Sequence, residues 1–201
     1  HIRLGDYPKA IEDFTETIWL RPDDADAFYN RGLSHSNLGD HSKAMEDYNE
    51  AIRVQPDYAP AFYNRGLRHA NLGNHEGAID DYTEVIRLDP EYAHAYNHRG
   101  YAYHGLEEYQ KSVEDYTEAI RINPYDSGTL NNRGWSYATL GDHEKAIDDY
   151  TKAIGFKPKD ALIFNNRGWS LAQLGNHEKA IDDYTEAIKL RPDYAWAFNR
   201  R

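Results

Sequence analysis

Two sets of side chains in this sequence have types and spacings that could do chemistry. The first is a row of arginines, Arg31, Arg65, Arg99, Arg133 and Arg167, each followed by a glycine in "NRGL", "HRGY" or "NRGW". A row of guanidinium groups can read phosphates or acidic peptides, because each presents a planar fork of donors. The second set is histidine. His94 and His98 are four apart, so on a helix both rings face one way, and His104 follows nearby. Such a trio makes a weak metal site conceivable, although plain recognition uses the same residues, and no metal or cofactor is expected. His41, His75, His143 and His177 keep one register, but equivalent helices lie roughly 10 Å apart, too far to share an ion. Cysteine is absent, which excludes disulfides, thiolate metal sites and a Cys nucleophile. No glycine-rich phosphate loop, Ser-His-Asp arrangement or paired buried carboxylate stands out. The chain is therefore expected not to be an enzyme.

The elements that position these residues are set by a repeat. Gly32, Gly66, Gly100, Gly134 and Gly168 are spaced 34 apart, and Pro22, Pro56, Pro90, Pro124, Pro158 and Pro192 keep the same step. Five units follow: 25–58, 59–92, 93–126, 127–160 and 161–194. Residues 1–24 are the latter part of a preceding unit and 195–201 begin a following one, so 1–201 is read as a single array. Each unit reads as two helices. In 127–160 the first carries Leu130, Gly134, Tyr137 and Leu140 at helical spacing. "LGD" at Leu140 to Asp142 breaks it, with Asp142 placed to cap the next helix. The second carries Ala146, Ile147, Tyr150, Ala153 and Ile154 on one face, and Pro158 ends the unit.

A 34-residue helix–turn–helix carrying Phe28, Gly32, Ala44, Tyr48 and Pro56, and again Phe62, Gly66, Ala78, Tyr82 and Pro90, resembles the tetratricopeptide repeat. The likeness covers the whole chain. Departures are specific: Arg31 and its equivalents replace a leucine, His35 and His69 a tyrosine, Ser112 an alanine, and Glu107 stands where other units have Gly39 or Gly141. The resemblance implies an all-α fold, a right-handed superhelical solenoid of antiparallel helix pairs whose first helices line the concave side.

On a helical wheel the arginines fall at the edge of the core face. Every second helix places an aspartate just before its core aromatic: Asp13, Asp47, Asp81, Asp115, Asp149 and Asp183. One base and one acid per unit, both at core edges, predicts a ladder of structural ion pairs joining Arg31, Arg65, Arg99, Arg133 and Arg167 to Asp47, Asp81, Asp115, Asp149 and Asp183. Buried charges need partners, which favours this over phosphate reading.

Opposite the core stripe, the first helices present amides and aromatics. Candidate groove residues are Tyr29, Asn30, Tyr63, Asn64, Asn97, His98, Tyr101, Asn131, Asn132, Trp135, Asn165, Asn166 and Trp169. Asn30, Asn64, Asn132 and Asn166 form an interrupted ladder, and side-chain amides can both donate to and accept from a peptide backbone. The ladder resembles the one in the repeats of O-linked N-acetylglucosamine transferase, which implies a grip on an extended peptide by its main chain. Large aromatics in a groove mark binding surfaces. Chaperone-adaptor repeats clamp a carboxylate with lysines, whereas Tyr29, Tyr63, Asn97 and Asn131 stand here. An extended segment with apolar or aromatic side chains is thus expected over an acidic tail.

Composition narrows the partner class. Hydrophobic residues at 40% and charged residues at 28% are those of a folded soluble chain. A net charge of -11 argues against nucleic acid and against anionic membranes. No apolar run approaches the ~18 residues of a spanning helix. The compartment stays open, with the cytoplasm slightly favoured. The expected partner is a protein or peptide held along the concave groove. Alternatives are a substrate-recruiting arm of a larger enzyme, or head-to-tail self-association through apolar edges where the chain starts and stops inside units. Arrays of this kind use polar capping helices, so a trimmed fragment is expected.

Overall fold

The computed structural model describes residues 6–193 and Ala197. Among these residues stand eleven helices and no strand. The first helices of successive repeats are α2 (Ala25–Asn37), α4 (Ala59–Asn71), α6 (Ala93–Gly105), α8 (Ser127–Thr139) and α10 (Ala161–Gln173). The second helices are α1 (Tyr7–Leu20), α3 (His41–Val54), α5 (His75–Leu88), α7 (Tyr109–Ile122), α9 (His143–Phe156) and α11 (His177–Leu190). Pro8 lies in the first turn of α1, where a missing N–H costs nothing.

The turns follow from local chemistry. Gly39, Gly73, Gly141 and Gly175 close the first helices at φ between 76° and 84°, a left-handed conformation that lacks a steric cost only for glycine. Glu107 occupies the same place at φ 61°, so the repeat 93–126 keeps its turn at the expense of strain. Asp40 and Asp142 then accept from the backbone N–H of Lys43 and Lys145 and cap α3 and α9.

The chain divides into two compact units, residues 1–95 and 96–201. In the first, Phe28, Ala44, Tyr48, Ala51 and Ala61 form one core cluster, and Phe62, Val85 and Ala95 another. In the second, Leu130, Ala138, Ala146, Tyr150, Ala153 and Ile163 pack together, with Leu171, Ala180 and Tyr184 forming a further cluster. The repeat glycines set how closely each helix pair approaches. A Cβ on Gly32 would lie 2.8 Å from Cε1 of Tyr48, and one on Gly134 would lie 2.8 Å from Cε1 of Tyr150.

One reading of the core stripe needs correction. Leu140 follows the last helical residue of α8 as its C-cap and is 47% exposed. The turn swings it away from the face that Leu130 and Gly134 bury, so it is not a core residue. The expected start of a following unit at 195–201 lies outside the described residues apart from Ala197, which is buried beside Ala161 and Ala187. Leu4, in the partial unit 1–24, also lies outside them.

Candidate functional site

Each repeat arginine holds more than its aspartate. Arg31 places Nη2 2.6 Å from Asp47, Arg65 2.6 Å from Asp81, Arg99 2.7 Å from Asp115, Arg133 2.7 Å from Asp149 and Arg167 2.8 Å from Asp183. Nε donates to the same carboxylate in every case, giving the two-pronged geometry that strengthens such pairs. The five aspartates are buried and the arginines half-buried. Asp13, in the same register, is exposed.

Burial raises the carboxyl of Asp81 and that of Asp115, while the guanidinium facing each works against the rise. For Arg99 and Arg133 burial acts to lower the pKa, but the bonds to Asp115 and Asp149 leave it raised. Each guanidinium also lies over an aromatic ring: Arg31 over Phe28 at 5.7 Å, Arg65 over Phe62 at 5.4 Å and Arg167 over Phe164 at 5.7 Å.

The remaining nitrogen reaches in the opposite sequence direction. Nη1 of Arg31 donates to Thr15, that of Arg65 to Asn49, that of Arg133 to Thr117 and that of Arg167 to Thr151. These acceptors lie on the second helix of the preceding repeat, sixteen residues back, as the aspartates lie sixteen residues ahead. One side chain thus ties three helices. The sequence offers this only as a polar residue, Thr or Asn, recurring in one register of the second helices.

The predicted groove amides are engaged with the protein itself. Asn30 donates to the Asp26 carbonyl. Asn64 donates to the Pro60 carbonyl and to the Tyr29 hydroxyl, both at 3.0 Å. Asn132 donates to Oδ1 of Asn97 at 3.3 Å, and Asn166 to Oδ1 of Asn131 at 3.0 Å. The last three span 35 residues and so link neighbouring first helices. Asn165 and Asn166 are each 5% exposed, and Asn165 donates to Asn166.

Two cavities involve the remaining candidates. In residues 1–95, Tyr29, Tyr63 and Asn64 line a cavity of about 440 Å³ together with Ala59, Pro60, Val85, Asp89 and Tyr92. Tyr63 and Tyr92 meet edge to face with centroids 5.4 Å apart, and Tyr29 meets Tyr58 in the same way. Tyr58 donates its hydroxyl to the Asp26 carboxylate. Burial pushes the Tyr63 phenol up to about 12 and raises that of Tyr29, so both rings are neutral at physiological pH.

In residues 96–201, Tyr101, Asn131, Asn132, Trp135 and Asn166 line a cavity of about 370 Å³ with His104, Tyr116 and Leu162. Tyr101 is 56% exposed there. Trp135 and Trp169 stack at 5.6 Å, tilted by 37°. His98 lines neither cavity. His104 sits 3.0 Å from Ser136 Oγ, and burial lowers its pKa.

Reading the groove from first helices alone missed Val85, Asp89 and Tyr92, which come from the end of α5 and the turn after it. A signal existed: Tyr58 and Tyr92 each stand two residues after a repeat proline. The conceivable metal site is not assembled, since among the described residues no group of three or more His, Asp or Glu could hold an ion. Nor is any described helix long and apolar enough to cross a membrane.

The comparisons with known proteins agree with this architecture. No curated protein matches the sequence. Among solved structures, YrrB, a TPR protein described as having an unusual peptide-binding site, superposes with a TM-score of 0.83 at 23% identity, covering 94% of this chain and 97% of its own. MamA from Desulfovibrio magneticus RS-1 gives 0.80 at 20% identity, covering 85% and 97%. A thermophilic TPR protein of Thermus thermophilus gives 0.66 at 20% identity, covering 88% and 96%. At these identities the likeness is one of fold. The sequence model described as Tetratricopeptide repeat matches residues 25–58, 93–126, 128–160 and 161–194, and a second, TPR repeat, matches 1–39 and 68–107. With most of the sequence matched and its helices packed in the pairs such repeats form, the chain belongs to the tetratricopeptide repeat family of protein-interaction scaffolds.

Proposed function

We propose that the protein binds an extended partner segment along the face presented by its first helices, without catalysing a reaction. The observation that carries this reading is the cavity of residues 96–201, where exposed Tyr101 and Trp135 stand beside Asn131 and Asn132. Large rings left open to solvent next to amides favour a ligand with apolar side chains and a hydrogen-bonding main chain. Asn132 and Asn166 direct their N–H groups to Asn97 and Asn131, so the ladder reading changes in detail. Donors available to a peptide carbonyl are those of Asn97 and Asn131 and the second N–H of Asn132, and Oδ1 of Asn132 is available as an acceptor.

A peptide array probed with wild type, Trp135→Ala and Asn131→Ala tests this. Trp135→Ala is expected to weaken the bound peptides by tenfold or more, in the range of an interfacial aromatic anchor at about 2 kcal/mol. Asn131→Ala should weaken them less. Unchanged profiles for both variants would remove this face from the function. No nucleic-acid or membrane partner is proposed, given the charge of -11. Neither the residues used nor the cavities require contact between copies of the chain, so head-to-tail association is not part of this reading.

A further inference from the structure

The cavity in residues 1–95 has a different chemistry from the one just used. Its aromatic wall consists of Tyr29, Tyr63 and Tyr92, and the Tyr63 and Tyr92 rings form a corner with an interplanar angle of 89°. A face-and-edge corner of neutral rings presents negative π-density to an enclosed group, which is how aromatic cages take cations. Burial keeps the Tyr63 and Tyr29 phenols protonated.

The polar lining is biased toward acceptors. Both hydrogens of the Asn64 amide are committed, one to the Pro60 carbonyl and one to the Tyr29 hydroxyl. Because a carbonyl can only accept, the amide orientation is fixed, and Asn64 has Oδ1 left to offer. Asp89, exposed at the end of α5, adds a carboxylate to the same lining. One of its oxygens accepts from the Glu91 backbone N–H, which holds the group in place. Among the described residues, no lysine or arginine lines this cavity.

We infer that this cavity takes a lysine or arginine side chain of the bound partner segment. Lys and Arg carry cationic heads that donate and never accept, so they complement both the acceptor Asn64 Oδ1 and the carboxylate of Asp89 without leaving a donor opposed to a donor. The aliphatic stem would lie against Ala59, Pro60 and Val85, and the charged head would reach the tyrosine corner. The charge of -11 also speeds the approach of a basic segment. The partner is then a basic segment where it meets residues 1–95, in place of the purely apolar or aromatic one that composition of the first helices implies. This inference rests on the peptide-binding reading above and specifies one of its contacts.

The test uses immobilised ten-residue peptide libraries with one fixed central position (Arg, Lys, Leu, Phe or Glu) and the other positions randomised. They are probed with the full chain as wild type, Asp89→Asn and Tyr63→Leu. The Arg and Lys libraries are expected to retain wild-type protein at least fivefold over the Leu, Phe and Glu libraries. Asp89→Asn, a surface change that leaves the fold intact, should reduce that preference to about twofold or less, and Tyr63→Leu should do the same. If Leu or Phe libraries are retained best, or if the basic preference survives Asp89→Asn undiminished, the cationic pocket is wrong while peptide binding stands. If no library is retained above background, both readings fall.

Discussion

At the scale of single residues, the repeat arginines are structural ties whose value lies in the partner they leave behind. Asp149 is 1% exposed and bonded by two nitrogens of Arg133. Arg133→Leu is expected to cost about 3–5 kcal/mol, because it strands a buried carboxylate. The double variant Arg133→Leu/Asp149→Leu should recover most of that loss, since an apolar pair of similar volume is often neutral. Glu118→Ala, which breaks an exposed pair with Arg121, should cost about 1 kcal/mol or less. Chemical denaturation of the four proteins checks all three values. A second residue-scale effect is acid sensitivity. Burial lowers the folded-state pKa of His104 below its unfolded value of about 6.5. Between those two values the unfolded chain binds the extra proton, so stability is fully present above about pH 6.5 and falls as pH drops toward the folded value. His104→Gln should therefore flatten the fall of Tm between pH 7 and pH 5.5.

At the scale of elements, glycine has opposite meanings in two neighbouring helices. Gly134 of α8 faces the fully buried ring of Tyr150 at a distance no Cβ can share. Gly134→Ala should cost about 1–3 kcal/mol by forcing α8 and α9 apart. Gly155 of α9 has nothing within 4 Å of its would-be Cβ. Gly155→Ala should stabilise by about 0.5–1 kcal/mol, the helix-propensity difference. Thermal denaturation of the two variants must give shifts of opposite sign. The turn between α6 and α7 supplies a third case. Glu107 holds φ 61°, so Glu107→Gly should raise stability by about 1 kcal/mol through relief of strain. The repeat pattern marks Glu107 as out of place, but it takes the backbone angle to show that the turn kept its left-handed shape instead of changing course.

At the scale of the whole molecule, stability in a repeat array is the sum of each repeat and its contacts with its neighbours. The hydrogen bonds from Arg133 to Thr117 and from Arg167 to Thr151 cross from one repeat to the next. Thr117→Val/Thr151→Val removes these cross-repeat bonds while sparing both ion pairs. It should cost about 1–3 kcal/mol in total and broaden the urea transition, as coupling between neighbours weakens and cooperativity with it. An unchanged transition width would mean that apolar stacking and the amide bonds between first helices, such as Asn132 to Asn97 and Asn166 to Asn131, couple the repeats without these threonines. Exposed acids on second helices, such as Glu46, Asp80, Glu114 and Asp182, contribute to the net charge of -11 and to solubility, whereas exposed pairs such as Arg53 with Glu50 and Arg87 with Glu84 are neutral overall and add little stability.

The 34-residue register by itself determined the helix pairs, the places of their turns and the face most helical residues occupy, Leu140 at a helix end excepted, because helical periodicity turns spacing into direction. That is why Arg133 and Asp149 could be placed at facing core edges, and why Tyr101, Asn131, Asn132 and Trp135 could be placed on one surface. A perfect repeat carries no information on which neighbour a side chain chooses, since every candidate partner recurs in every unit. Only the tertiary structure decided that the arginines reach back to Thr117 and Thr151 as well as ahead, and that Asn132 and Asn166 turn their donors toward Asn97 and Asn131. It likewise brought Asp89 and Tyr92 from beyond the first helices into the cavity of Tyr63 and Asn64. These outcomes depend on the distance between stacked helices, a quantity fixed by packing and absent from any single unit's sequence.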